Sequence, residues 1–298
     1  MPRISAERKL EKYFQIYTQI YENPLISRNR IAQNLKMAPH TVTNYLQEMK
    51  DSFMFGPAIY LKPAQNYHEY VYFLNFENPL SACALLEQHP SVITINLAFG
   101  RWNLFFIADE QIDYANVEGY QECILHGVKS VTFLSRVTTL DWDQSMENMR
   151  SMVKAPQQRS SLYKEGPAIP WKEWEWALYH KLKHNVRIPV NPVLEELDIS
   201  SEQYKKWASS LFDVTSIQSA FFPSGKNRTC DFLFQSENQK QLTDILGQLP
   251  SSWIFFSVGD YLFGGFCTST SERRRKLHKF TYEMRGEGLF SELRYAEV

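Results

Sequence analysis

The chain has 298 residues, a formal net charge of −1 at pH 7 and a pI near 6.7. Hydrophobic residues make up 44% and charged residues 22%, the balance of a globular chain with enough length for about two to four domains. A protein that bound nucleic acid over its whole surface would be strongly basic, so any DNA contact has to come from a local patch. Cys83, Cys123, Cys230 and Cys267 lie far apart and form no CxxC pair, which excludes a disulfide framework or a zinc site of ordinary spacing. No apolar run reaches the ~18 residues that span a bilayer, and the first residues, MPRISAERKLEKYF, lack a signal-peptide core. The expectation is a cytoplasmic protein with no membrane partner.

In chain order, residues 1–65 read as a helical unit. Ser27 is placed to cap a helix whose inward face is Ile31, Ala32 and Leu35. A break at Lys36-Met37-Ala38 precedes Pro39, a residue favoured at a first helical position. The next helix turns Val42, Tyr45, Leu46 and Met49 inward and His40, Thr41, Thr43, Asn44, Gln47 and Lys50 outward. Two short helices with a polar outer face on the second make a helix-turn-helix. Thr, Asn, Gln and His read base edges, while Arg28, Arg30, Lys36 and Lys50 hold phosphates of double-stranded DNA. Residues 1–50 hold eight Lys/Arg against four Glu, a local +4.

Residues 66–142 follow as a sensor. YHEYVYFLNF is a strand, NPLSACALLEQHP a helix, and SVITINLAFGRWNLFFIAD two strands turning near Gly100. DYANVEGYQECILHGVK is an amphipathic helix and SVTFLSRVTTLDW the closing strand. The order is βαββαβ, ferredoxin-like. Residues 143–169, rich in Pro, Gln, Ser and Gly, form an exposed linker.

The pattern then repeats. Residues 170–222 carry a second helical unit in which, at a shift of 162, Leu35, Met37, Val42, Tyr45 and Met49 match Leu197, Ile199, Tyr204, Trp207 and Leu211. Its outer face holds Glu195, Glu196, Asp198 and Glu202 beside Lys205 and Lys206, and residues 171–213 sum to −1. Carboxylates repel phosphates, so this copy reads as structural. Residues 223–298 form a second sensor. At a shift of 160, residues 77–98 and 237–258 share six of 22 positions, including Asn78/Asn238 and Pro90/Pro250. The fold class is α+β: two tandem units, each a winged helix-turn-helix followed by a ferredoxin-like domain.

The order of a helix-turn-helix, the short connecting strand MFGPAIYLKP and a βαββαβ module with glycine at its central hairpin resembles the Lrp/AsnC (feast/famine) family of transcription regulators. The chain departs from that pattern at Lys36, Ala38 and Asn44, where the family usually has glycine, serine and arginine. The resemblance implies a small effector near the sensor hairpins, here Gly100-Arg101-Trp102-Asn103 and Gly259-Asp260-Tyr261-Leu262. The first offers a cation and a flat apolar surface, suited to a small carboxylate.

Each sensor also presents an aromatic sheet face, exemplified by Tyr72, Trp253 and Phe255, that calls for pairing within the chain or in a homo-oligomer. His180 and His184 are spaced i, i+4 but have no third ligand, so they read as surface histidines and no metal is expected. The run Arg273-Arg274-Arg275-Lys276 with Lys279 reads as a solvated helix face. No catalytic signature or phosphate loop is present. The expectation is therefore a DNA-binding regulator without cofactor or catalytic residues. Siroheme decarboxylases share the architecture and supply an alternative, although His68, His89 and His126 are scattered and match no tetrapyrrole-binding stretch. A protein-interaction module that has lost DNA binding is the other alternative.

Overall fold

A computed structural model describes residues 5–157, 159–225, 230–267 and 270–298. The first helical unit is α1 (Ala6–Glu22), α2 (Arg28–Asn34) and α3 (Pro39–Ser52). Ser27 caps α2 through its hydroxyl, and Ile16, Tyr17, Ile20, Ile31, Val42 and Met49 close the core. The second is α6 (Glu173–Leu182), α7 (Val190–Glu196) and α8 (Ser201–Val214) around Leu178, Leu194, Trp207 and Leu211. The two turns share a backbone conformation and a hydrogen bond. Lys36 and Asp198 both adopt a positive φ, 51° and 52°. The next N–H in each, at Met37 and Ile199, donates 2.9 Å back to Ala32 O and Leu194 O.

β1 (Met54–Leu61) and β8 (Thr215–Phe221) pair antiparallel and tie the halves together. Each strand also serves the other half's core. Ile59 and Leu61 of β1 pack into the second helical bundle, while Phe221 of β8 stacks on Tyr17 of the first at 5.1 Å.

The first sensor sheet has the order β3-β5-β2-β6, from β2 (Tyr70–Phe76), β3 (Val92–Leu97), β5 (Leu104–Ala108) and β6 (Tyr120–Val128). Its outer face is covered by α4 (Pro79–Leu86). The helix expected over 113–129 is instead the edge strand β6, preceded by a single 3₁₀ turn at Tyr114–Asn116. Gly119 and Gly127 would each cost a helix about 1 kcal/mol, and pairing with β2 from Tyr120 to Val128 supplies the backbone bonds instead.

The closing strand expected after residue 129 shrinks to β7 (Phe133–Leu134), which leaves the first sheet and joins the second. Serines stitch it there. Ser135 Oγ accepts from Trp253 N–H at 2.8 Å, and Ser252 Oγ donates to Ser135 O at 2.9 Å. The stretch read as a linker opens with α5 (Trp142–Val153). Its period-3.6 face of Trp142, Met146, Met149 and Val153 is buried on the second sheet.

The second sheet runs β4-β12-β9-β11-β10-β7, built from β9 (Cys230–Gln235), β10 (Trp253–Val258), β11 (Tyr261–Phe266) and β12 (Glu292–Glu297). At one edge sits β4 (Phe99–Gly100), lent by the first sensor. α9 (Gln239–Leu246) and α10 (Ser271–Gly286) cover the outer face with α5. The core between the sheets is Phe73, Trp102, Phe105, Leu233, Phe256 and Phe263. Because side chains alternate along a strand, the neighbours Tyr72, Trp253 and Phe255 face the helices instead. The expectation that those three lie on the open face is corrected by one residue of register.

Candidate functional site

α3 carries His40, Thr43, Asn44, Gln47 and Lys50 exposed along its outer face, with Thr41 half-buried. The Thr43 hydroxyl donates to Pro39 O at 3.1 Å. Arg28 and Arg30 stand exposed on α2, and Lys36 is exposed in the turn. Thr43, Asn44, Gln47, Lys50 and Arg28 share a groove of about 430 Å³ with Asn185 to Pro189 of the second unit. That loop is clamped in place by Arg187, whose Nη1 donates to Pro24 O at 3.2 Å and Ile26 O at 2.6 Å.

The hairpin residues are engaged in protein contacts. A Cβ at Gly100 would lie 2.5 Å from Tyr295 O, so glycine is what lets β4 approach β12. Arg101 makes a bidentate pair with Glu122 at 2.8 and 3.0 Å. Trp102 is fully buried between the sheets, edge-on to Phe73 at 5.1 Å. The Asn103 side chain both accepts from Phe76 N–H and donates to Phe76 O. Sequence placed a cation and a flat apolar surface here; the fold pairs the first with Glu122 and turns the second inward.

The second turn has Gly259 at φ +56°. Asp260 accepts from Gln235 at 2.8 Å, and Tyr261 bonds Glu292 and Arg294. The two turns build no common site. Of the basic run on α10, Arg273 lies over the Trp142 ring, Arg274 pairs with Glu297 and Lys276 with Asp143 and Glu272.

A large cavity lies where β1, the edge of the first sheet and the inner face of the second converge. It measures about 950 Å³, the upper end of the range for ligand pockets. Phe105, Phe256 and Phe263, all buried, back one side of it as a stack of rings within 8–14° of parallel, and the half-buried Ile93, Ile107 and Ile254 line it. β1 contributes Phe55 and Tyr60 to the opposite side.

Set into this apolar shell is Lys129, only 3% exposed. Its Nζ lies 2.5 Å from Glu69 Oε2, 3.2 Å from Ser130 O and 5.5 Å from the centre of the Phe256 ring. The other Glu69 oxygen accepts from the Tyr67 hydroxyl at 3.2 Å. From the end of α6 come Tyr179, Lys183 and His184. Lys183 Nζ sits 5.9 Å above the Tyr179 ring, and Lys183 O accepts from Ile59 N–H at 2.7 Å, locking α6 to β1.

Electrostatics follow from the burial. Desolvation, reinforced by the Glu69 carboxylate, pushes the phenols of Tyr60, Tyr67 and Tyr179 well up, so each keeps its proton. Burial and the Lys183 ammonium push His184 down, leaving a neutral imidazole. The site thus offers cations and phenol donors within a largely apolar lining, with a neutral imidazole at its exposed rim. Sequence reasoning found only His184 among these groups and read it as a surface histidine, and it is exposed at the cavity's rim. Glu69 and Lys129 did carry a signal: each is a lone charge within a strand-like apolar run.

Among the described residues no group of three or more His, Cys, Asp or Glu is placed to hold a metal ion. Among them, too, no helix is long and apolar enough to cross a membrane.

No protein-family model and no curated protein sequence matches the chain. Solved structures do. A crystal structure of the siroheme decarboxylase NirDL superposes on 96% of this chain and 90% of its own, with a TM-score of 0.54 and 11% identity. The chain shares the siroheme decarboxylase fold. The same enzyme in complex with an iron-uroporphyrin III analogue covers 96% at a TM-score of 0.50 and 10% identity. E. coli AsnC matches 43% of this chain and 92% of its own, at 12% identity and a TM-score of 0.29. The nearly full-length match to an enzyme overturns the expectation that the chain is not one. That expectation rested on the lack of a local catalytic signature, and the cavity groups come from four separated stretches of chain.

Proposed function

We propose that the chain is an enzyme of the siroheme-decarboxylase type, acting on a large, flat, carboxylated substrate held in the cavity between the sheets and β1. The observation that carries this reading is the cavity itself: about 950 Å³, largely apolar, with Lys129, Lys183 and protonated tyrosines on its surface, in a fold matched end to end by a siroheme decarboxylase. Lys183 and Lys129 would anchor substrate carboxylates by charge-assisted hydrogen bonds. A carboxylate stripped of water beside Ile93, Ile107 and Ile254 loses hydration that favours its charged form. When the C–CO₂ bond breaks, the electron pair stays on carbon and must take a proton. The phenols of Tyr60 and Tyr179 are cavity groups that hold one at neutral pH. His184, its pKa pushed down by burial and by Lys183, would be the lining residue able to ligate the iron of a bound tetrapyrrole.

The test is incubation of the purified protein with siroheme and other iron tetrapyrrole carboxylates, followed by mass spectrometry. The reading predicts loss of CO₂ that slows when Tyr179 is changed to Phe. Unchanged mass across the whole panel would remove it.

A second reading, favoured by the exposed polar face of α3 beside its +4 local charge, is that the first helical unit binds DNA. We further propose that the halves arose by duplication, so that each chain supplies internally the sheet-to-sheet pairing of a dimer. The matching positive φ at Lys36 and Asp198 supports this.

A further inference from the structure

The groove beside α3, away from the cavity, gathers positive charge with no carboxylate to balance it. Arg28, Lys50 and Arg187 line it with the amides of Asn44, Gln47 and Asn185, and among its described lining residues there is no Asp or Glu. Its volume of about 430 Å³ falls within the range of small-molecule sites. The 185–189 loop, between α6 and α7, gives α3 a facing wall, so a ligand here sits between elements of the two helical units.

Arg187 is fixed in place by its neighbours. Its backbone N–H donates to Asn185 Oδ1 at 2.9 Å, and Nη1 donates to both Pro24 O and Ile26 O. A guanidinium has five N–H donors, so Nε and Nη2 keep three. That edge can grip an oxyanion with two parallel hydrogen bonds. Burial, and then the nearby Arg28 guanidinium, work against the charge on Arg187. Neither arginine pairs with a carboxylate among the described residues.

We infer that this groove binds a small phosphorylated molecule, its phosphate bridged between the open edge of Arg187 and Arg28, and its polar remainder facing Asn44 and Gln47. A phosphate suits the site better than a carboxylate. It brings about two negative charges and three acceptor oxygens, enough to meet two guanidiniums that come from different elements. Lys50 adds charge at the same groove. Asn44 and Gln47 are exposed and three residues apart on α3, hence on one face, where their amides offer both donors and acceptors.

The experiment is calorimetric titration of the full chain with inorganic phosphate, the ribonucleoside 5′-monophosphates and the matching nucleosides, beside a fluorescence-anisotropy titration with duplex DNA of mixed sequence. At least one monophosphate should bind saturably, with Kd below about 1 mM. Inorganic phosphate should bind more weakly, and the nucleosides should not bind. Arg28→Gln should weaken monophosphate binding about ten- to a hundred-fold. The Arg28 side chain is exposed and makes no hydrogen bond among the described residues, so this variant should fold. Arg187→Lys keeps the charge but loses the two-pronged edge, and should weaken binding as well; it is read only if its circular dichroism matches the parent. Monophosphate binding indifferent to Arg28→Gln would overturn the inference, as would no binding of any of these phosphates. Duplex binding that is lost in Arg28→Gln, with no monophosphate bound, would also overturn it and give these cations to a DNA strand. The enzyme reading, which concerns the other cavity, is untouched by each of these outcomes.

Discussion

Trp102 separates two views of the first hairpin, as a ligand-facing turn or as a joint between sheets. Its indole is fully buried, edge-on to Phe73 at 5.1 Å, in the core shared by Phe105, Phe256 and Phe263. Trp102→Ala removes a buried aromatic ring and leaves a cavity, which costs about 3–5 kcal/mol in well-packed cores. For a chain of this size ~1 kcal/mol corresponds to about 2–4 °C. The melting temperature should therefore fall by roughly 6–20 °C, read by circular dichroism. Its neighbour Arg101, in an exposed pair with Glu122 at 2.8 Å, provides the contrast: Arg101→Ala should leave the melting temperature close to the parent's. A loss under ~1 kcal/mol for Trp102→Ala, the range of surface substitutions, would refute the placement of this hairpin between the sheets.

Lys129→Met strands the Glu69 carboxylate, which is 16% exposed, and should cost about 3–5 kcal/mol; adding Glu69→Leu should restore most of it, as a chemical-denaturation double-mutant cycle will read. Lys36 sits at φ 51°, where a Cβ is strained, so Lys36→Gly should stabilise by roughly 0.5–1 kcal/mol in thermal melts and Asp198→Gly by less, because Asp tolerates that conformation. His180, His184 and His278 are all pushed down, burial being the largest cause. The unfolded chain then takes up protons first, so stability should be full above pH ~6.5 and decline as pH falls below it; a melting temperature that rises between pH 7 and 5.5 would contradict this sign. If α3 reads DNA, Asn44→Ala with Gln47→Ala should abolish sequence preference in a gel-shift titration, at ~1–3 kcal/mol per base contact, whereas changing Lys205 and Lys206 should not.

The helical units were legible because their signals are local. Ser27, Pro39 and the spacing of Ile31, Val42 and Met49 specify caps and faces within a few residues. The same holds for α4 and α9, at a shift of 160 in both sequence and structure. What failed was non-local. Residues 120–128 have a helix-compatible apolar spacing, yet pairing with β2 decides their state. β7 and β4 leave their own unit to extend the other sheet, a choice visible only once both sheets exist. The amphipathic face of α5 was present in the sequence but masked by polar neighbours. The candidate site was the least legible part. Glu69, Lys129, Tyr179 and Lys183 come together only because β1 crosses to the second helical bundle, and the hairpin residues that offered chemistry on paper are used to hold the sheets together.

The central claim is that ligand chemistry resides in the cavity between the sheets and β1, and not at the hairpins. The most direct measurement is a crystal structure of the full chain grown with an iron tetrapyrrole carboxylate. The expected result is the ligand between β1 and the edge of the first sheet, with carboxylates within hydrogen-bond distance of Lys183 and Lys129. A tetrapyrrole seated at Arg101 and Asp260, with this cavity filled by protein side chains, would contradict it.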